Sequence, residues 1–305
     1  MRCLIANHDA GGAEIVSSWV RRNIRHQYRF IVEGPACPVY QRKLPAWNNC
    51  GVDDLYPLLE ETDFVLTGTS GLADLERSVI KAARQAGKRT AAFLDYWYCF
   101  RERFMLAGEL CLPDELWVGD QYAFENAYRV FPDIYISHVE NPYMLDVRDE
   151  AHKIRCTLGV KNKGEGYNIL YLCQPYDQDY READGDTIRV TDLAMLDYFF
   201  EELSIHLYKL PLYSVKIRLH PTENEEKYRS CSEKYKTLMP ISFTKDASLV
   251  DECVVADYVV GTHTMGLVVA LWSQARVFHC IPPRYRPCAL PYKEIENFHA
   301  FLEQQ

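Results

Sequence analysis

The sequence lacks any apolar run approaching the roughly 18 residues that a membrane-crossing helix needs, so a lipid-linked partner would be met at the membrane surface. It does not open on a charged segment followed by an apolar core and a small-residue cleavage site, which points to the cytoplasm. Its eleven cysteines contain no C-x-x-C pair and no regular spacing. A disulfide framework and a structural zinc site are therefore both unsupported, and reduced thiols are expected. H-E-x-x-H and G-x-S-x-G are absent too, which leaves metalloprotease and serine-hydrolase chemistry without residues. Positive charge is in deficit, 34 Lys and Arg against 43 Asp and Glu for a net charge of -9. A general nucleic-acid binder would carry a basic face, so no nucleic-acid partner is expected, and neither is a metal or cofactor.

What is present is a chain of 305 residues, 48% hydrophobic. That exceeds the usual size of one compact domain and favours two of about 150 residues. Short apolar strands are expected at 3–6, 28–32, 64–67, 90–94, 115–118 and 134–137, with helical patterns at 13–24, 53–60, ahead of 86, and 122–130. After a polar, glycine-bearing stretch the alternation restarts, with strands at 168–173, 214–219, 241–244, 257–260 and 276–280. A loop is expected at 174–189 and helices at 192–208, 223–235, 248–255, 265–273 and 293–303. Strands alternating with helices of this length imply parallel sheets covered on both faces. The expected architecture is α/β, two Rossmann-like doubly wound domains facing a cleft. Residues 1–140 form the acceptor domain, 141–166 a linker and 167–290 the donor domain, with 291–305 a C-terminal helix able to pack back on the first domain. Ligands in such sheets bind outside the carboxyl ends of the strands.

Five such strand ends carry chemistry. Arg218-Leu219-His220-Pro221 closes a strand in which Lys216, Arg218 and His220 share a face. Proline stops the strand and holds the imidazole at the sheet edge, where it can donate to a phosphate oxygen. Gly261-Thr262-His263-Thr264 joins a strand to a helix start, whose unpaired N–H groups and small hydroxyls suit an anion, although plain capping by Thr262 or Thr264 needs no ligand. In the first domain, Asn7-His8-Asp9-Ala10-Gly11-Gly12-Ala13-Glu14 occupies the matching place. The glycines permit close backbone approach or positive φ, Asp9 is the candidate base for an acceptor hydroxyl, and Glu14 is its runner-up. Thr69 and Ser70, and Asp95 with Tyr96, follow the next strands and are candidates to line an acceptor pocket. Asp184-Gly185-Asp186 resembles a metal-binding triplet but sits in a polar loop with no second ligand cluster, so a solvated loop is expected.

Taken in order, these segments resemble the GT-B class of glycosyltransferases, and within it the bacterial sialyltransferase and capsule polysialyltransferase type. That resemblance implies a CMP-sugar donor, with His220-Pro221 and Gly261-Thr262-His263-Thr264 around its phosphate and an acidic base, Asp9, from the first domain. It implies metal-independent, inverting transfer of a nonulosonic acid such as sialic, legionaminic or pseudaminic acid to a glycan, glycolipid or glycoprotein acceptor. Many UDP-sugar enzymes of this fold, the UDP-N-acetylglucosamine 2-epimerases among them, carry a glutamate in the helix after the second motif, where this sequence reads Leu267-Val268-Val269-Ala270. A UDP-sugar glycosyltransferase, a nucleotide-sugar 2-epimerase or hydrolase, and a non-catalytic nucleotide-sugar binding protein are the competing readings.

Overall fold

The computed structural model describes residues 1–71, 73–158, 166–181 and 187–305. It divides into two compact units, Met1–Asp146 and Val147–Gln305.

The first unit runs β1 (Arg2–Asn7), α1 (Ala10–Arg22), β2 (Gln27–Val32), α2 (Ala36–Lys43), α3 (Leu55–Glu61), β3 (Phe64–Thr67), α4 (Leu75–Gln85) and β4 (Arg89–Leu94). A small hairpin, β5 (Met105–Leu106) and β6 (Glu109–Leu110), precedes β7 (Glu115–Val118), α5 (Gln121–Val130) and β8 (Tyr135–His138). The six long strands form one parallel sheet in the order β2-β1-β3-β4-β7-β8. Every residue of β3, and all of β1 after Arg2, is buried. That is why these strands read as unbroken apolar runs: a parallel sheet is covered on both faces. One core layer gathers Ile5, Val16, Phe30, Tyr40 and Phe93, and the other Leu4, Ile31, Leu59, Val65 and Val79.

Helix α6 (Pro142–Leu158) carries the chain past the division between the units, over part of the stretch expected as a linker. The second unit continues with β9 (Tyr167–Leu172), β10 (Asp177–Arg181), β11 (Thr187–Thr191), α7 (Asp192–Ile205), β12 (Leu212–Arg218), α8 (Glu225–Glu233) and β13 (Ile241–Thr244). It ends with α9 (Leu249–Val255), β14 (Tyr258–Gly261), α10 (Met265–Trp272), β15 (Arg276–His279), β16 (Ile295–Asn297) and α11 (Phe298–Glu303). Its parallel sheet has the order β13-β12-β9-β14-β15-β16. Numbered within the unit, that is 3-2-1-4-5-6, the order of dinucleotide-binding Rossmann sheets. In both units the order reverses beside the first strand, between β1 and β3 and between β9 and β14, and ligand crevices form at such points.

Three expectations change here. Residues 36–43 are a helix that the pattern hid, because Pro35 and Pro38 bracket its first turn; proline is tolerated there since the first-turn N–H has no partner to lose. The expected loop 174–189 contains the antiparallel ribbon β10–β11. The expected terminal helix 293–303 is a sixth parallel strand, β16, paired with β15, and only then a helix. Phe298, Phe301 and Leu302 of that helix, which the sequence left able to pack on the first domain, lie in the core of the second unit with Tyr258 and Phe278.

Candidate functional site

In the first unit the chemistry converges on the carboxyl ends of β1, β3 and β4. Asp9 takes the extended N-cap conformation of α1 (φ -85, ψ 143), but its side chain caps nothing. Its Oδ1 instead meets Nδ1 of His8 at 2.8 Å, and the two side chains are about a quarter exposed, 24% and 27%. With the carboxylate accepting from Nδ1–H, the lone pair of the imidazole resides on Nε2. Gly34, in the β2–α2 turn at φ +54, lies against that nitrogen: a Cβ there would stand 2.5 Å from Nε2. That point is one bond from Gly34's own Cα, so the glycine both allows the left-handed turn and lets the His8 ring lie against the turn's backbone.

The helix of α1 starts at Ala10, so Gly11 and Gly12 are helical and have no positive φ. Their small size serves close approach: a Cβ on Gly11 would come 2.5 Å from Oδ2 of Asp95, and one on Gly12 3.1 Å from the Cα of Gly68. Asp95 accepts from the hydroxyl of Thr69 at 2.9 Å and from the guanidinium of Arg103 at 2.8 Å. Burial pushes its carboxyl up, against the pull of Arg103 and Thr69. Arg103 also donates to Thr69 at 2.9 Å and lies 5.6 Å from the Tyr96 ring, whose hydroxyl accepts from Tyr98. Below this layer Glu76, in the first turn of α4 and 2% exposed, accepts from the backbone N–H of His8 at 2.7 Å.

Thus His8, Asp9, Gly11, Thr69, Asp95 and Tyr96 are drawn into one cluster. Ser70 is turned into its own loop, accepting from the Ala73 amide at 2.9 Å. Glu14 points elsewhere, paired with Arg42 and, at 2.5 Å, with Lys43, whose ammonium also lies 4.3 Å from the ring of Tyr143. Burial lowers the pKa of Lys43 while Glu14 raises it. Such a buried, multiply partnered carboxylate is a structural tie between α1 and α2.

In the second unit, His220 lies two residues past the end of β12. Its Nδ1 accepts from the Thr222 amide at 3.3 Å and lies 2.7 Å from the Thr222 hydroxyl, which puts the neutral ring's proton on Nε2. Burial lowers its pKa, with Lys245 adding to the shift, so at neutral pH the ring is an uncharged N–H donor. Arg218 does not join it. Its guanidinium donates to the Ala247 carbonyl at 2.8 Å and pairs with Glu252 of α9, a carboxylate only 4% exposed. Thr264 caps α10, accepting from the Gly266 amide at 3.2 Å, while Thr262 donates to Gln174 at the end of β9 across the switch point, at 3.4 Å. Gly261 is pressed against Leu172 and Leu267. The ring of His263 stands 5.2 Å from that of Tyr176, nearly perpendicular, and burial lowers its pKa. Val190, Met195 and Ile281 form a small apolar cluster beside Tyr176 and Cys288, fixing the β10–β11 ribbon next to this loop. Helix α10 is buried at Leu267, Val268, Val269 and Ala270, so it offers no carboxylate at those positions. Asp184 and Asp186 lie outside the described residues.

Gly34, Glu76, Arg103, Gln174 and Tyr176 are contributors that sequence reasoning missed. They meet the named motifs only in space, at separations such as the 68 residues between His8 and Glu76.

No family model and no curated protein matches the chain. Solved structures do. The UDP-GlcNAc 2-epimerase from Methanocaldococcus jannaschii superposes with a TM-score of 0.63 at 12% identity, over 92% of this chain and 83% of that one. MurG of Acinetobacter baumannii gives 0.53 at 9%, over 100% and 83%. The UDP-GlcNAc 2-epimerase from Neisseria meningitidis bound to UDP-GlcNAc gives 0.55 at 8%, over 86% and 77%. With two parallel six-stranded sheets in these orders, the fold class is GT-B: two Rossmann-like α/β units. Among the described residues no helix is long and apolar enough to cross a membrane.

Proposed function

We propose that the protein is a nucleotide-sugar-dependent glycosyltransferase whose donor carries UDP, with the first unit activating the acceptor hydroxyl and the second holding the donor phosphate. The observation that carries the transferase reading is the His8–Asp9 pair, an imidazole oriented by a carboxylate at the carboxyl end of β1. This arrangement suits a general base and supports His8 Nε2 as the proton-accepting atom, with Asp9 orienting the ring and stabilising its charged form. In the transfer step the acceptor oxygen bonds to the anomeric carbon and its proton passes to Nε2. The bond from that carbon to the phosphate oxygen breaks, the configuration inverts and the electron pair leaves with the nucleotide. His220 Nε2–H and the amides of the Thr262–Thr264 turn are suited to meet that charge. Asp95, Thr69 and Tyr96, braced by Arg103, supply hydrogen-bonding and stacking groups for an acceptor sugar.

The likeness to UDP-GlcNAc enzymes supports UDP over the CMP-linked nonulosonic acid that the motifs alone suggested. The apolar Leu267–Ala270 segment supports CMP instead, and so sets the test. Thermal shift against UDP, CMP, CDP and GDP should show stabilisation by UDP, because a ligand that binds only the folded state raises its melting temperature. A CMP response without a UDP response would overturn the donor assignment. Donor consumption should require acceptor; turnover of donor alone would replace the transferase with an epimerase or hydrolase. Binding without turnover under any acceptor would leave a binding protein. His8→Gln should lower kcat by about 10²–10⁴, and full activity in that variant together with loss in Asp9→Asn would return the base to Asp9 itself.

A further inference from the structure

Glu76 is the most deeply buried carboxyl at the β1 and β3 strand ends, and neither the acceptor pocket nor the donor loops use it. One oxygen, Oε1, accepts from the His8 backbone N–H at 2.7 Å. The other, Oε2, is enclosed and has no hydrogen-bond partner. Nδ2 of Asn7 and the hydroxyl of Thr67, at the ends of β1 and β3, are likewise buried without partners. Buried polar atoms are otherwise paired almost without exception, and an ionised carboxylate would be costly to enclose without a countercharge.

The groups that act on Glu76 are few. His8 and Asp9 face it from the β1–α1 loop, and the Tyr40 phenol, itself bonded to Asn7 at 2.6 Å, faces it from α2. Asp74 and Arg77, its neighbours along α4, pair with each other at 2.8 Å. No cation is therefore committed to Glu76 among these groups. Burial drives its pKa up to about 7, against hydrogen bonding from the His8 amide and from its own backbone N–H and with a smaller push from Asp9.

We propose that Glu76 is the positioning residue of the His8–Asp9 pair, holding the loop from below through the His8 amide and bringing an ionisable proton within reach of the imidazole's field. This rests on the base assignment above. A change in the charge of the buried Glu76 carboxyl is then felt at the neighbouring His8 ring.

The test is an NMR pH titration of the histidine ring resonances, with His8 assigned by its loss in His8→Gln. In the wild-type protein the His8 signal should report the ionisation of Glu76 as an inflection near pH 7, and in Glu76→Gln that inflection should vanish. Glu76→Gln keeps an oxygen for the His8 amide but cannot ionise. Superimposable His8 curves in the two proteins would overturn the proposal. The kinetic counterpart uses donor consumption: Glu76→Gln should alter the limb of the kcat–pH profile near neutrality. Glu76→Ala, which releases the amide, should lower kcat by about 10²-fold with donor KM unchanged, the loss expected for a catalytic group misplaced by about 1 Å. An unchanged kcat in Glu76→Ala, or loss of kcat in Glu76→Ala with no change of pH profile in Glu76→Gln, would also overturn it. If wild-type protein turns over no nucleotide sugar, the transferase reading fails, and the NMR titration still decides the role of Glu76.

Discussion

Replacing Gly34 by alanine separates two effects that the structure places at one residue. The backbone there has φ +54, where a Cβ costs about 1–2 kcal/mol. In addition, the new methyl would stand 2.5 Å from Nε2 of His8. Normal carbon contacts lie near 3.5–4.0 Å, so ring and methyl must part by about 1 Å. The backbone cost predicts a fall in melting temperature of about 2–8 °C. The ring displacement predicts a fall in kcat of about 10²-fold. Gly87 supplies the control, since it has φ +67 but nothing within 4 Å of its would-be Cβ. Gly87→Ala should therefore lose comparable stability and keep its turnover. Differential scanning calorimetry and acceptor-dependent donor consumption on both variants measure the two quantities. Equal kcat in the two variants would refute the idea that the missing side chain of Gly34 sets the position of the His8 ring, and with it the assignment of Nε2 as the proton acceptor.

Two further outcomes follow from the same geometry. Arg218→Ala should destabilise the second unit by about 3–5 kcal/mol, because it strands the buried carboxylate of Glu252; chemical denaturation measures this, and a loss of nucleotide affinity without loss of stability would return Arg218 to the donor site. Stability should also depend on pH in a way Glu76 opposes. His220, His263 and His279 have native pKa values lowered from 6.5 by burial, so the unfolded chain binds more protons and their stability contribution is lost as pH falls through that value. Glu76 is raised from 4.5 to about 7, so its contribution is complete below the lower value and lost as pH rises through the upper one. Glu76→Gln should thus steepen the rise of melting temperature between about pH 5 and pH 7; an unchanged slope would show that the carboxyl is not protonated in the native state.

The alternation of apolar runs with helical patterns was enough to read both sheets, and β3, β7 and β13 fall on the residues expected, because fully buried parallel strands announce themselves by composition. What failed was local. Two prolines masked α2, a polar ribbon read as loop, and the short β16 was swallowed by the helical period of the residues after it. The site was legible as strand ends and turns but not as contacts. His8 and Asp9 are adjacent in sequence, yet an aspartate in the extended N-cap conformation ordinarily caps its helix, and here its carboxylate meets the neighbouring ring instead. Arg218 looked like a phosphate ligand because alternation placed it on the face of His220; its partner Glu252 lies 34 residues on and could not be inferred from that pattern. Glu14 is the mirror case, a carboxylate near the right loop whose partners on α2 were hidden with the helix itself.

The late position of β16 and α11 has a consequence for how the two units come into being. The first unit has its last strand in hand at His138, whereas the second draws core side chains from as far along as Phe301 and Leu302. During synthesis at about 5–20 residues per second, the first unit therefore has roughly 10–30 s in which to fold before the second can close its sheet. Within that interval β9, β12, β14 and β15 emerge in turn, each before the α11 side chains that complete their core have been made. A chain stalled or cut between His279 and Ile295 would leave β15 as an open edge beside the aromatic layer that α11 normally covers, the situation in which strand edges recruit other chains.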